Sequence, residues 1–249
     1  MFNLFSNVPS KAEESKSDKL DTALWHLEHI LCANNKEAYE YMLNWLAHFI
    51  QKPREVVGVA PVFTGEQGAG KNLFWDMFGE GMVGQYYHTL NDIEQLTKNF
   101  NKRMESKLFT LLDEISNYGG AWRSNDKLKN IITSKKQYIE PKGLEAYEVS
   151  TYSRYVFCSN HDWPVKIENS DRRFIVMRTS PAKIGNKEYF NKLAAAMDQE
   201  GMNHFRFMLA NRDISSWDRA KIPMTEARRD MKVMSLPVGI RFWLDLAES

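Results

Sequence analysis

Residues 65–72 read Gly-Glu-Gln-Gly-Ala-Gly-Lys-Asn. They match G-x-x-x-x-G-K, the pattern of a phosphate-binding loop. Each part has a physical task. Glycines let the backbone curl so that successive N–H groups face phosphate oxygens. A helix starting behind them adds the positive end of its dipole. Lys71 reaches the β and γ phosphates as a point charge. Gly65, Gln67, Gly68, Ala69, Gly70, Lys71 and Asn72 are therefore the expected nucleotide-contacting residues, with ATP and Mg²⁺ as ligands. Asn72 stands where Ser or Thr normally supplies a hydroxyl to the metal, and its carbonyl oxygen is a weaker ligand.

A second group is Leu-Phe-Thr-Leu-Leu-Asp-Glu at residues 108–114, whose acidic pair begins 42 positions after the lysine. A buried strand ending in two carboxylates suits nucleotide hydrolysis. Asp113 would hold Mg²⁺ directly or through water, and Glu114 would act as general base on the attacking water. A solvated Asp-Glu pair is the plain alternative. Residues 155–160, Tyr-Val-Phe-Cys-Ser-Asn, repeat the scheme of apolar strand and polar end, with Asn160 placed to orient the water. In a parallel sheet ligands gather at the carboxyl ends of strands, so these signals imply one shared site, with the acidic pair facing the loop from the next strand. At 171–173, Asp-Arg-Arg offers Arg172 or Arg173 as a transition-state finger, which contributes on the order of 10³–10⁵ in rate at such sites. A surface salt bridge to Asp171 is the alternative.

The elements that must position these residues are legible from pattern. Strands are expected at about 55–63, 108–112, 155–158 and 174–177, with helices at about 125–133, 187–209, 225–234 and 237–246. Alternation of the two argues for an α/β P-loop NTPase core with a mostly parallel sheet flanked by helices. Ahead of it, Leu24, Leu27, Ile30 and Leu31 form the stripe of a helix starting near Asp21. Met42, Leu43, Leu46 and Ile50 form that of a second helix, 36–51, stopped by Pro53. This small N-terminal helical unit carries no evident chemistry. The expected division is 1–53 for the polar segment and helical unit, 54–182 for the core, and 183–249 for a C-terminal helical region.

Composition narrows the class. The 249 residues are 43% hydrophobic and 26% charged, with 33 basic against 32 acidic side chains. Those are ordinary globular values, and the near-zero balance is silent about nucleic acid. Cys32 and Cys158 are too few for a disulfide framework and lack metal-ligand spacing. No apolar run approaches the roughly 18 residues of a membrane span, and no signal-peptide pattern opens the chain. A cytoplasmic location is expected, bacterial or in a virus-infected host, with no membrane partner.

Taken in order, GEQGAGKN, Phe100-Asn101, LLDE, Ile139–Gly143, CSN and DRRF resemble the superfamily 3 helicases of viruses and plasmids. The helicase part of phage and poxvirus-type primase-helicases is the nearest likeness, over about residues 24–235. The resemblance implies an AAA+ type core assembling as a homo-oligomeric ring, usually a hexamer, around single-stranded or forked DNA. ATP would lie between subunits. By this likeness Lys71 is the Walker A lysine, Asp113 and Glu114 the Walker B pair, Asn160 the sensor, and Arg172 or Arg173 the finger for a neighbour's ATP. It also implies a hairpin before the sensor strand. Residues 137–140 and 147–151 would pair across Pro141-Lys142-Gly143, a strong turn signal. Lys142 would contact DNA at the tip, with Lys135 and Lys136 as second choices. A solvated turn lysine is the alternative. A primase or polymerase is a further expected partner. Longer members of the family carry a primase or polymerase domain upstream and a further domain after the motor; neither is expected in this chain, which reads as a fragment or a shortened relative. Two other readings compete: a small-molecule P-loop kinase, which leaves Glu114 unexplained, and a non-motor module that binds nucleotide without turnover, which Asn72 favours.

Overall fold

The computed structural model describes residues 17–91, 96, 102–114, 121–168 and 170–248. Phe100 and Asn101, and most of the polar N-terminal segment, lie outside the described residues. Two helical segments come first. Helix α1, Asp18–Trp25, runs into a π-turn, His26–Leu31, and α2 spans Lys36–Gln51. The Asn35 side chain caps α2 by accepting the Ala38 N–H at 3.0 Å, which satisfies one of the open donors of a first turn. The expected stripe packs inward: Leu27, Ile30, Leu31, Met42, Leu43, Leu46 and Ile50 are buried.

A five-stranded sheet follows, made of β1 (Ala60–Thr64), β2 (Tyr87–Leu90), β3 (Phe109–Leu112), β6 (Arg154–Cys158) and β7 (Phe174–Arg178). Its order is β2-β3-β6-β1-β7 and every pairing is parallel. Both faces of β1 are buried, as a sheet covered on two sides requires. On one face lie α1, α2, α3 (Lys71–Val83) and the helix Gln199–Asn211; on the other lie the helices Ala121–Thr133 and Glu226–Met234. In chain order the later helices are α4 (Ala121–Thr133), α5 (Lys187–Ala196), α6 (Gln199–Asn211), α7 (Glu226–Met234) and α8 (Val238–Glu248). Among the described residues no helix is long and apolar enough to cross a membrane.

Several elements differ from the sequence expectation for identifiable reasons. β1 starts at Ala60 rather than near residue 55, because its neighbour β7 first offers a partner at Phe174. The helix expected over 187–209 is two helices. Asp198 caps the second by accepting the Gly201 N–H at 3.0 Å, and a Cβ at Gly201 would stand 1.7 Å from the Ala196 carbonyl oxygen. The strand Tyr87–Leu90 gives no apolar run; it is a half-exposed edge strand with polar residues.

The hairpin matches expectation closely. β4, Lys136–Ile139, pairs antiparallel with β5, Tyr147–Ser150, in the register Ile139↔Tyr147. Lys142 and Gly143 sit in the connecting turn, Gly143 at φ +78°. Thr151, Tyr152 and Ser153 lead from β5 into β6.

Candidate functional site

The segment between β1 and α3 is a tight glycine loop. Gly65, Gly68 and Gly70 all hold positive φ, at 127°, 85° and 87°, a region that residues with a Cβ rarely enter. Two of them are also close approaches. A Cβ on Gly65 would meet Thr179 Oγ1 at 2.4 Å, and one on Gly70 would meet Phe190 at 2.6 Å and His26 at 2.9 Å. Gly70 caps α3, and Phe74 N–H is the donor that bonds its carbonyl at 3.2 Å. The N–H groups of the loop end and the first turn are thus free of intrahelical partners.

Lys71, the first residue of α3, is 4% exposed. Its Nζ folds back over the loop, donating to the carbonyls of Gly65 at 2.7 Å and Glu66 at 2.8 Å and to Asn160 Oδ1 at 3.2 Å. Burial lowers its pKa, while Cys158, Asp113 and Glu66 act in the opposite direction. The next side chain ties the loop to the acidic pair: Asn72 Nδ2 donates to Asp113 Oδ1 at 2.6 Å. Asn72 Oδ1 is then left buried without a hydrogen-bond partner. A cleft of about 290 Å³ is lined by Gln67, Gly68, Ala69, Gly70, Lys71, Asn72, Leu73, Glu114, Asn160 and Phe190. Glu114 itself sits at φ +53°, an uncommon conformation for a residue with a side chain.

The structure therefore brings together the whole expected loop, Asn72, Asp113, Glu114 and Asn160. One detail is corrected. The acidic pair does not come from the strand next to β1; β6 lies between β1 and β3. Asn160, at the end of that intervening strand, sits between Lys71 and the acids. The two arginines are elsewhere. Arg172 and Arg173 precede β7, whose Phe174 pairs with Ala60. That register puts them about 20 Å from Gly65 along the strands, at ~3.3 Å per residue. Arg173 is engaged within the chain: its N–H donates to Asp171 Oδ1 at 2.7 Å and its Nη1 lies 3.8 Å from Asp171 Oδ2. Arg172 is exposed. Of the hairpin lysines, Lys135 and Lys142 are exposed, and Lys136 forms an ion pair with Glu148 at 2.5 Å.

The sequence did not single out His26, Tyr189 or Phe190, yet the first and last of them touch Gly70 and Tyr189 touches His26. A lone histidine on an apolar helical face carries no motif, and α5 is distant in sequence. The helical unit expected to be without chemistry thus forms one wall of the loop.

These features define an open α/β protein with an all-parallel sheet. Its polar groups gather at the carboxyl end of a central strand, behind a glycine loop and a helix N-terminus. Residues 63–173 match the model of a protein family of unknown function, DUF5906. A DNA primase-polymerase of Nitratiruptor phage NrS-1 is 35% identical to this chain over 137 residues, covering 54% of this chain and 19% of the relative. Two apo structures of the NrS-1 C-terminal region share the fold, each with a TM-score of 0.75 and 24% identity. One covers 92% of this chain and 54% of the solved chain; the other, the A form, covers 94% and 58%. The chain thus spans 19% of the length of that curated relative and little more than half of those solved regions.

Proposed function

We infer that this chain is a nucleoside-triphosphate hydrolase serving phage-type DNA replication, of the superfamily 3 helicase kind. One observation carries the reading: the Asn72–Asp113 hydrogen bond of 2.6 Å, which joins the glycine loop to the acidic strand end across an intervening strand. Without that convergence the motifs would be separate coincidences. The similarity to a phage DNA primase-polymerase supports replication as the setting.

The roles follow from position. The loop N–H groups and Lys71 bind the phosphate chain. Asn160 Oδ1, bonded to Lys71 Nζ at 3.2 Å, lies where it orients an attacking water. Glu114, on the cleft wall, takes that water's proton as general base. Mg²⁺ fits the residues present. The orphaned, buried Asn72 Oδ1 lies beside Asp113, and both supply the oxygen donors a hard cation requires. Bound there, the ion would offset phosphate charge. Arg172, exposed and about 20 Å from its own chain's loop by strand rise, serves a neighbouring copy in an assembled ring, usually a hexamer. Lys142 and Lys135 contact single-stranded or forked DNA through phosphates, which needs no sequence; Lys136 is the weaker candidate because Glu148 already neutralises it. A primase or polymerase remains the expected protein partner.

ATP turnover with and without single-stranded DNA, in wild type and Glu114→Gln, tests the reading. The expected outcome is DNA-stimulated hydrolysis, cut by about 10²–10⁴ in the variant with ATP binding retained. Transfer of phosphate to a small molecule, indifferent to DNA, would sink it, as would an absence of turnover at every protein concentration. Mixing Arg172→Ala with Lys71→Ala should restore part of the activity each lacks alone.

A further inference from the structure

The strand β4 turns its side chains unequally. Ile139 is fully buried, whereas Tyr138 beside it is 69% exposed, more than any other tyrosine among the described residues. A ring turned outward to that extent adds little to the core. Single exposed aromatics are ordinary on a surface, so the surroundings of Tyr138 decide what it is for. A groove of about 400 Å³ lies between β4 and α4. Gln137 and Tyr138 form one wall, and Lys127, Asn130 and Ile131 the other. The three α4 residues share a face because they recur at helical spacing. Tyr155 of β6 lines the same space. It is 3% exposed and its hydroxyl has no hydrogen-bond partner, a condition that buried polar groups seldom keep. The charge nearby suits an anionic chain. Lys127 and Lys135 are exposed, while Lys136 is already paired with Glu148 at 2.5 Å, the residue across the hairpin from Tyr138.

We propose that this groove is a base-holding subsite for single-stranded DNA. One nucleobase leaves the stack of its own strand and lies against the Tyr138 ring. Its hydrogen-bonding edge meets the Asn130 and Gln137 amides, and the flanking phosphates meet Lys127 and Lys135. An amide carries both donors and an acceptor, so it can meet the edge of any base, and every base has a face to stack. The subsite therefore tolerates sequence. A duplex offers it nothing, because a paired base must first be drawn out of the helix at a cost. This inference rests on the single-stranded DNA contact proposed above and goes beyond it. Lysines at the hairpin turn hold phosphates alone, whereas the groove tells a strand that carries bases from one that does not.

Two dye-labelled probes test it on the full chain by fluorescence anisotropy: an oligothymidylate, and a strand of equal length in which every sugar lacks its base. The wild type should bind the thymidylate more tightly. Tyr138→Ala should weaken thymidylate binding about five- to a hundredfold, the scale of one base–aromatic stack. It should leave the abasic strand at wild-type affinity. The salt dependence of thymidylate binding should also hold, because no phosphate contact has been removed. Tyr138→Phe keeps the ring and should bind both probes as the wild type does. Unchanged thymidylate affinity in Tyr138→Ala would overturn the proposal, and so would an equal loss on both probes. Either result would leave the phosphate contacts of the hairpin standing. A wild type that binds neither probe is a different result: it removes the single-stranded DNA reading and this inference with it.

Discussion

At the carboxyl end of the sheet polar groups line an open cleft, whereas at the amino end buried charges are packed against one another, even though Asp171 Oδ2, Arg173 Nε and Arg154 Nε lack hydrogen-bond partners there. Around the glycine loop, Lys71 spends its donors on two carbonyls and an amide, and Asn72 keeps an orphaned oxygen. Before β7, the Asp171 carboxylate is 1% exposed and is flanked by Lys129 at 3.7 Å and Arg173 at 3.8 Å, while Arg228 donates to the Asp171 carbonyl at 2.7 Å. Nearby, the buried Arg154 donates to His48 Nδ1 at 3.2 Å, and desolvation lowers its pKa to about 9. Unpartnered buried polar atoms thus occur at both ends, and what sets the carboxyl end apart is the open cleft lined by its loop. The same sheet carries a charge-packed end and the end proposed above to bind nucleotide.

The sharpest contrast comes from one substitution at each end. Asp171→Ala removes the buried carboxylate between Lys129 and Arg173, leaving Lys129 with Glu168 at 3.2 Å and Asp126 at 3.8 Å, and should destabilise folding by about 1–3 kcal/mol, read by urea denaturation, with triphosphate affinity unchanged in the folded protein. Lys71→Ala should do the reverse. Its folding stability should hold, while nucleotide affinity falls about 10–100-fold, the scale of a charge-assisted hydrogen bond. If both variants lose stability and neither loses affinity, the two ends do not differ in kind.

Acid should weaken the fold through its buried imidazoles. Burial lowers the pKa of both His26 and His48 from 6.5 to about 4, so between these values the unfolded chain binds protons that the folded one refuses. Their stabilisation is complete above pH 6.5 and is lost as pH falls toward 4. Each imidazole should account for roughly 2 kcal/mol between pH 7 and 5, measured by denaturant titration, and His26→Phe should remove about half of that dependence. Gly70→Ala should cost about 1–3 kcal/mol from its positive φ, with nucleotide affinity falling further because Phe190 and His26 leave no room. The smallest effect belongs to the hairpin. Lys142→Ala should weaken single-stranded DNA binding a few-fold, evenly across sequences, and reduce the salt slope by about one, as fluorescence anisotropy would report.

How much of this was legible beforehand depended on the kind of signal. The loop glycines, Lys71, Asn72, Asp113, Glu114 and Asn160 could be read because each follows the carboxyl end of a short, mostly apolar run that is buried in the fold. The hairpin was implied by the family resemblance, and Pro141-Lys142-Gly143 marked where it turns. Strand order was not. Nothing local says that β6 inserts between β1 and β3, since that is decided by pairing across about a hundred residues. Nor could the break at Asp198 be seen in periodicity alone, because both halves of the helical stretch keep apolar residues at helical spacing. His26 and Tyr189 were invisible for the same reason: a contact 163 positions apart in sequence leaves no pattern in either segment.

β6 has one further property worth following. It is hydrogen-bonded to a strand on each side, three residues separate it from β5 of the hairpin, and it ends two residues before Asn160. Phe157 is registered against both neighbours, Val62 on one side and Leu112 on the other, so the strand is most firmly held at the end nearest Asn160, and that amide has a fixed base from which to face the cleft.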